Sequence, residues 1–321
     1  MALAESKIPD TLNQTAGFRN IVVAVDFSPS SRRALSTAPM LADANCAHLT
    51  VLHVLQSDWR YELAGLRQAD LETRDAEPRI TTWIGELASD RPGLKGKIDS
   101  MLVKNGPIAP AILSIAAQLG ADLLVMGTHG RGGLSKFAIG SVSEELLRLA
   151  PVPVMTVGPK AEMSASAAPY AHAILFATDF GPGSKRALPF VLQLTRARNA
   201  KLVLLHMISP MPAASSLSAY APSAAAADEF DQCSGAVRTR ALKELRESLP
   251  ADCGLQQDPA YLVGTDFLPE GILAAAGKFN VDLIVMGANR TASAKLAAHV
   301  PWTAVHEVLV HAPYPVLTFA G

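Results

Sequence analysis

Apolar positions in this chain fall into short continuous runs separated by longer amphipathic stretches. Residues 21–25 are consecutive apolar residues, mostly valine and isoleucine, as expected of a strand covered on both faces. Ser28 and Pro29 then supply an N-cap and a favoured first helical residue, which predicts a helix through Ala42. Residues 49–55 predict a second buried strand, a segment running through Trp83 and Leu87 a helix, and residues 97–103 a third strand. Residues 110–119 read as helix, 123–126 as a fourth strand, 141–149 as helix and 152–157 as a closing strand. Strands alternating with helices imply a mainly parallel, doubly wound α/β sheet, and such sheets bind ligands at the carboxyl ends of their strands.

The pattern then occurs again. Val25-Asp26-Phe27-Ser28-Pro29 returns as Thr178-Asp179-Phe180-Gly181-Pro182, and Leu52-His53-Val54 as Leu205-His206-Met207. Asp122-Leu123-Leu124-Val125-Met126-Gly127 returns as Asp282-Leu283-Ile284-Val285-Met286-Gly287. Ala150-Pro151-Val152-Pro153 returns as Ala312-Pro313-Tyr314-Pro315, so the matches keep their order. A duplicated domain is implied, and self-similarity of this kind outranks any single-element reading. The expected division is a first domain over 1–158, an Ala/Ser-rich linker over 159–171, and a second, degenerate domain over 172–321. A low-complexity stretch at 209–227 reads as a mobile surface loop inside the second copy.

Composition narrows the function classes. The 321 residues carry 28 basic and 29 acidic side chains, so no general field draws the chain to nucleic acid or to an anionic membrane. No apolar run approaches the roughly 18 residues of a membrane span, and the first twenty positions lack the apolar core of a signal peptide. Cys46, Cys233 and Cys253 are scattered without C-x-x-C spacing, as expected of reduced cytoplasmic thiols. A cytoplasmic protein with no nucleic-acid or membrane partner is expected.

The segment with the clearest chemistry is Gly127-Thr128-His129-Gly130-Arg131-Gly132-Gly133, followed by Gly140-Ser141. It begins at the carboxyl end of the fourth predicted strand. Glycines let successive N–H groups approach an anion, and Ser141 opens a helix whose free N–H groups and dipole also favour phosphate. Asp26, at the end of the first strand, can accept from ribose hydroxyls or cap the turn into the next helix. His53 and His206 are repeat-related and read as core or strand-end residues. His129 reads as an exposed loop residue with no carboxylate partner in view. No paired carboxylates with an acid/base role can be read, so no catalytic residue and no metal ligand is assigned.

Asp26-Phe27-Ser28, Leu52-His53-Val54, Val103-Lys104-Asn105-Gly106 and above all Gly127-x2-Gly130-x9-Gly140-Ser141 resemble the universal stress protein family. Both halves share the likeness, so the whole resembles a tandem member. The resemblance implies two repeated five-stranded domains of the adenine nucleotide alpha hydrolase-like type, binding ATP (or AMP or ADP), with or without Mg2+. It implies that Ala24, Asp26, Val54 and Met126 frame adenine and ribose. It implies that Gly127, Gly130, Arg131, Gly140, Ser141 and Val142 hold the phosphates. It further implies pairing of the closing strands, hence an internal pseudo-dimer of the two copies, a homodimer, and a protein partner that the sequence does not name.

The second copy departs from that pattern. Its loop reads Gly287-Ala288-Asn289-Arg290, and Trp302-Thr303 stands where the first copy has Gly140-Ser141. Arg290 carries a Cβ at a position the pattern gives to glycine, and Trp302 would crowd a phosphate. The leading expectation is a nucleotide-binding stress or signalling module with one working loop. The alternatives are a slow ATP hydrolase and a partner-binding protein indifferent to nucleotide. The Ser-Gly-Gly type of phosphate loop used after the first strand by enzymes of similar layout is missing.

Overall fold

The computed structural model describes residues 18–42, 47–55, 68–90, 96–104, 107–129, 139–161, 172–208, 224–265, 267–288 and 302–321. In the first repeat, β1 (Asn20–Ala24) leads to α1 (Pro29–Thr37) and a short α2 (Pro39–Ala42), then β2 (His48–Leu55), α3 (Gln68–Asp90) and β3 (Ile98–Lys104). There follow α4 (Ile108–Gln118), β4 (Leu123–Gly127), α5 (Ser141–Leu149) and β5 (Val154–Val157). The second repeat contributes β6 (Ala173–Ala177), α6 (Pro182–Arg198), β7 (Lys201–Met207), α7 (Ala224–Ser248) and β8 (Ala260–Gly264). It ends with α8 (Leu268–Lys278), β9 (Leu283–Ala288), α9 (Trp302–His311) and β10 (Val316–Ala320).

Three sequence expectations shift. The single helix expected through Ala42 is two pieces, because Pro39 has no N–H to continue the ladder past Ala38. The fourth-strand approach helix α4 starts at Ile108 behind Pro107, two positions before the start read from sequence. Pro110 is accommodated there in the first turn, where its N–H would have had no helical partner. Of the low-complexity stretch, 209–223 lies outside the described residues, whereas Ala224 to Ala227 open α7 instead of forming loop. Alanine has the highest helix propensity, so a run of it extends a helix readily.

The chain forms two compact units, one of residues 1–169 with 309–320 and one of 170–308 with 321. In the first the strand order is β3-β2-β1-β4-β5-β10. β1 lies parallel to β2 and β4, and β4 parallel to β5. The chain's last strand closes this unit: β10 runs antiparallel to β5, with Leu317 opposite Met155. The pairing expected of the closing strands is therefore present. In the second unit the order β9-β6-β7-β8 repeats the first unit's β4-β1-β2-β3, all parallel. Ile21, Val23, Leu49, Leu52, Leu123 and Leu124 are fully buried, as are Leu41, Ile80 and Leu146 on the helices. Each such side chain stabilises the fold by about 1.5–3 kcal/mol relative to exposure.

Repeat-related carboxylates brace the start of each central strand. Asp122 accepts from the Arg19 and Asn20 amides at 2.7 and 3.1 Å, and Asp282 from those of His172 and Ala173 at 3.0 and 3.2 Å. Burial nevertheless pushes the Asp122 carboxyl above the usual carboxylate range, outweighing these hydrogen bonds.

The opposite end of the sheet is set by a close approach. A Cβ on Gly127 would stand 2.7 Å from Ser30 Cβ and 2.8 Å from the Ser31 amide nitrogen, in the first turn of α1. A Cβ on Gly287 would stand 2.5 Å from the Ser184 amide nitrogen, in the first turn of α6. Both glycines are required by packing against backbone that cannot retreat. Gly127→Ala and Gly287→Ala should each lower unfolding stability in urea by about 1–3 kcal/mol, as overpacked sites do. Gly85 of α3 has nothing within 4 Å of its missing Cβ, so Gly85→Ala should instead raise stability by about 0.5–1 kcal/mol.

Candidate functional site

The strand order of the first unit reverses between β1 and β4. The chain runs outward from β1 to β2 and β3, then returns to place β4 on the other side. A crevice at the carboxyl ends is expected at such a switch point. The structure places Ala24, Asp26, Val54, Met126, Gly127, Gly140, Ser141 and Val142 at this end of the unit. Ala24 ends β1, in register with Leu52 of β2 and Met126 of β4. Val54 and Met126 are buried. Gly130 and Arg131 lie outside the described residues, as does Arg290 of the second repeat, and nothing of the Trp302 and Thr303 side chains is described.

After β1 the chain turns sharply. Asp26 Oδ1 accepts from the Ser28 amide at 2.9 Å, and Ser28 Oγ accepts from the Ser31 amide at 3.1 Å to cap α1. The turn-stabilising role of Asp26 weighed from sequence is thus present. Between them Phe27 takes a left-handed conformation with φ of 63°, a departure that costs on the order of 1–2 kcal/mol for a residue with a Cβ. Its neighbours hold it there. His53, from β2, lies 2.6 Å from the Val25 carbonyl through Nδ1. A carbonyl can only accept, so Nδ1 carries the proton and donates. The Phe27 ring packs on that imidazole, with centroids 4.6 Å apart.

The same device recurs in the second unit. Phe180 has φ of 58°, its ring is 4.6 Å from that of His206, and His206 Nδ1 lies 2.8 Å from the Thr178 carbonyl. The histidines are therefore turn-holding strand residues. The sequence carried a signal for them, since Phe and His recur together in both copies, but nothing in it said that the two rings meet.

Past β4 the backbone is tied to both neighbouring helices. Ser28 Oγ donates to the His129 carbonyl at 3.1 Å, and Ser143 Oγ donates to the Gly127 carbonyl at 2.9 Å. The Gly140 amide donates to the Thr128 carbonyl at 2.8 Å, which brings the start of α5 back to the end of β4. Gly140 is the N-cap of α5 and has no side chain with which to cap it. The helix thus begins with N–H groups that no Gly140 side chain engages, at its positive dipole end. Glu144 in the first turn already exploits that dipole. The arrangement can bind an anion at the α5 terminus and present a carboxylate, Asp26, from the adjacent strand.

In the second unit the corresponding aspartate makes the same turn bond and also accepts from a serine hydroxyl. Asp179 Oδ1 accepts from the Gly181 amide at 2.8 Å and from Ser184 Oγ at 2.6 Å. In the first unit the equivalent hydroxyl, Ser31 Oγ, donates to the Ser28 carbonyl at 3.0 Å. Gly181 cannot cap α6 with a side chain as Ser28 caps α1, and the Asp179–Ser184 bond engages a hydroxyl, not a helix N–H.

His129 is more enclosed than its loop position suggested. Its Nδ1 is 2.9 Å from Thr128 Oγ1, and its buried Nε2 has no hydrogen-bond partner among the described residues. Burial lowers its pKa from the ordinary 6.5. The unfolded chain therefore takes up a proton near pH 6.5 while the folded protein resists until lower pH. Stability contributed here is present above that pH and is lost as pH falls through it. His129→Gln should flatten the decline in unfolding free energy between about pH 7 and 5, measured by urea titration across pH. An unchanged slope would mean that another group carries the decline.

Fold and site together define a class: a duplicated α/β protein whose repeats share a doubly wound parallel sheet and one strand-to-helix turn. The profile of the Universal stress protein family matches residues 17–158 and again 171–319, and the chain belongs to that family as a tandem member. A protein named for the family in Staphylococcus epidermidis is 32% identical over 142 residues, which is 44% of this chain and 84% of the relative. A counterpart from Staphylococcus haemolyticus is 30% identical over the same shares. The crystal structure of a universal stress protein from Archaeoglobus fulgidus matches 95% of this chain and 98% of its own. Its TM-score is 0.62 at 18% identity, a likeness of fold. Among the described residues no helix is long and apolar enough to cross a membrane.

Proposed function

We propose that the first repeat binds an adenine nucleotide, ATP or its relatives ADP and AMP, with or without Mg2+. In this reading a cytoplasmic stress-response or signalling protein uses the bound nucleotide to change conformation or partner affinity. The observation that carries it is the meeting of the glycine-capped α5 terminus with the end of β4, held by the 2.8 Å bond from the Gly140 amide to the Thr128 carbonyl. Free helix N–H groups are suited to phosphate. Gly127, Gly130, Arg131, Gly140, Ser141 and Val142 are proposed to hold the phosphates. Asp26 is proposed to accept from ribose, and Ala24, Val54 and Met126 to line the adenine.

Ser141 is exposed at the helix start, a position suited to a phosphate, and the apolar Val54 and Met126 stand, buried, at the ends of β2 and β4. The second repeat fits such a ligand less well, because its loop carries Arg290 and Trp302 in the sequence, and Ser184 Oγ donates to Asp179 where the equivalent Ser31 Oγ donates to the Ser28 carbonyl.

Calorimetric titration of the full chain with ATP should give about one site per chain. Gly140→Trp should abolish binding with the fold intact by circular dichroism, and Arg290→Gly should change affinity little. Two equivalent sites per chain would overturn the asymmetry, and no binding of any adenine nucleotide would overturn the reading. Sustained ATP turnover with Mg2+ would move the protein to the hydrolase class.

A further inference from the structure

We infer that Arg79 and Trp83 of α3 are positioning residues of the first-repeat site, acting on Asp26 through Phe27; this rests on the nucleotide reading above. Phe27 follows Asp26 directly, so the peptide plane that Phe27 fixes also orients the Asp26 backbone. Its ring is enclosed from two sides. His53 lies beneath it, and from α3 the Trp83 ring meets it edge-on at 5.4 Å while the Arg79 guanidinium sits 3.9 Å from its centroid. A cation over an aromatic face is attracted by the ring quadrupole. Arg32 of α1 ties the group together, stacking 5.4 Å from Trp83 and pairing with Glu86 of α3 at 2.5 Å.

The second repeat isolates what this group adds. Phe180 adopts the same left-handed conformation against His206, so a phenylalanine on a histidine suffices to form the turn. Among the described residues, the Phe180 ring meets that of His206 and no ring or cation of α7. The aromatic and cationic contact from the long helix is thus built on the repeat that keeps the glycine loop. A contact not needed to form the turn, yet closing over it beside the site, narrows the excursions of Asp26. The fraction of molecules presenting the carboxylate in one place rises accordingly.

The test uses the full chain with two readouts. The first is the ATP dissociation constant by calorimetry for Arg79→Ala, Arg79→Lys, Trp83→Ala and Trp83→Phe, with Glu244→Ala and Ser248→Ala as second-repeat controls. The alanine variants of α3 should weaken ATP by about tenfold, corresponding to a competent fraction reduced to about a tenth. Arg79→Lys and Trp83→Phe, which keep a cation and an aromatic ring, should recover most of the loss, and the controls should bind as the parent does. The second is amide hydrogen exchange at Ser28, whose N–H is bonded to Asp26, without nucleotide. Its protection should fall in Arg79→Ala and Trp83→Ala while that of Gly181 is unchanged. Parent-like affinity in both alanine variants, or equal losses in the conservative ones, would overturn the positioning role. If the parent binds no ATP, the nucleotide reading fails by itself, and Ser28 exchange alone then decides: lost protection supports the clamp, and unchanged protection overturns it.

Discussion

The end of β4 and the first turn of α1 approach so closely that no side-chain carbon fits between them. Gly127 answers that constraint in the first unit, and Gly287 answers it against α6 in the second. Its consequence reaches past packing. With the strand end pressed against the helix, Ser28 can both cap α1 and donate to the His129 carbonyl. The chain leaving β4 is thereby fixed beside the turn that leaves β1. A site at a sheet's switch point needs two strand ends held in register, and this approach supplies the register.

Upon that shared framework the two repeats have diverged at the rim and not in the core. Both keep the bracing aspartate at the strand start, the left-handed phenylalanine and the histidine under it. They differ where a polar group must choose a partner. Ser28 caps α1 with its own hydroxyl, whereas Gly181 cannot. Both aspartates accept the turn amide two residues on, but the serine in the first helical turn donates to the Ser28 carbonyl in one repeat and to the Asp179 carboxylate in the other.

Much of this was legible without coordinates. The order of strands and helices, the duplication and the glycine-rich segment at a strand's carboxyl end followed from short-range pattern, since buried parallel strands are continuous apolar runs. The breaks at Pro39 and Pro107 are equally local, since proline lacks an N–H and restricts the residue before it. Low complexity hides the helical start at Ala224, although alanine favours helix.

What the sequence determined by itself was the architecture and the asymmetry of the two glycine segments, because backbone propensity, hydrophobic period and glycine spacing act over a few neighbouring residues. Only the tertiary structure decided what the side chains do at the site. Gly127 is also a packing glycine, His53 and Phe27 meet across separate strands, and Arg79 and Trp83 reach the Asp26 turn from a helix fifty residues along the chain. These contacts depend on where distant elements come to rest against one another. No periodicity along the chain encodes that, since it is fixed by close packing of the folded interior.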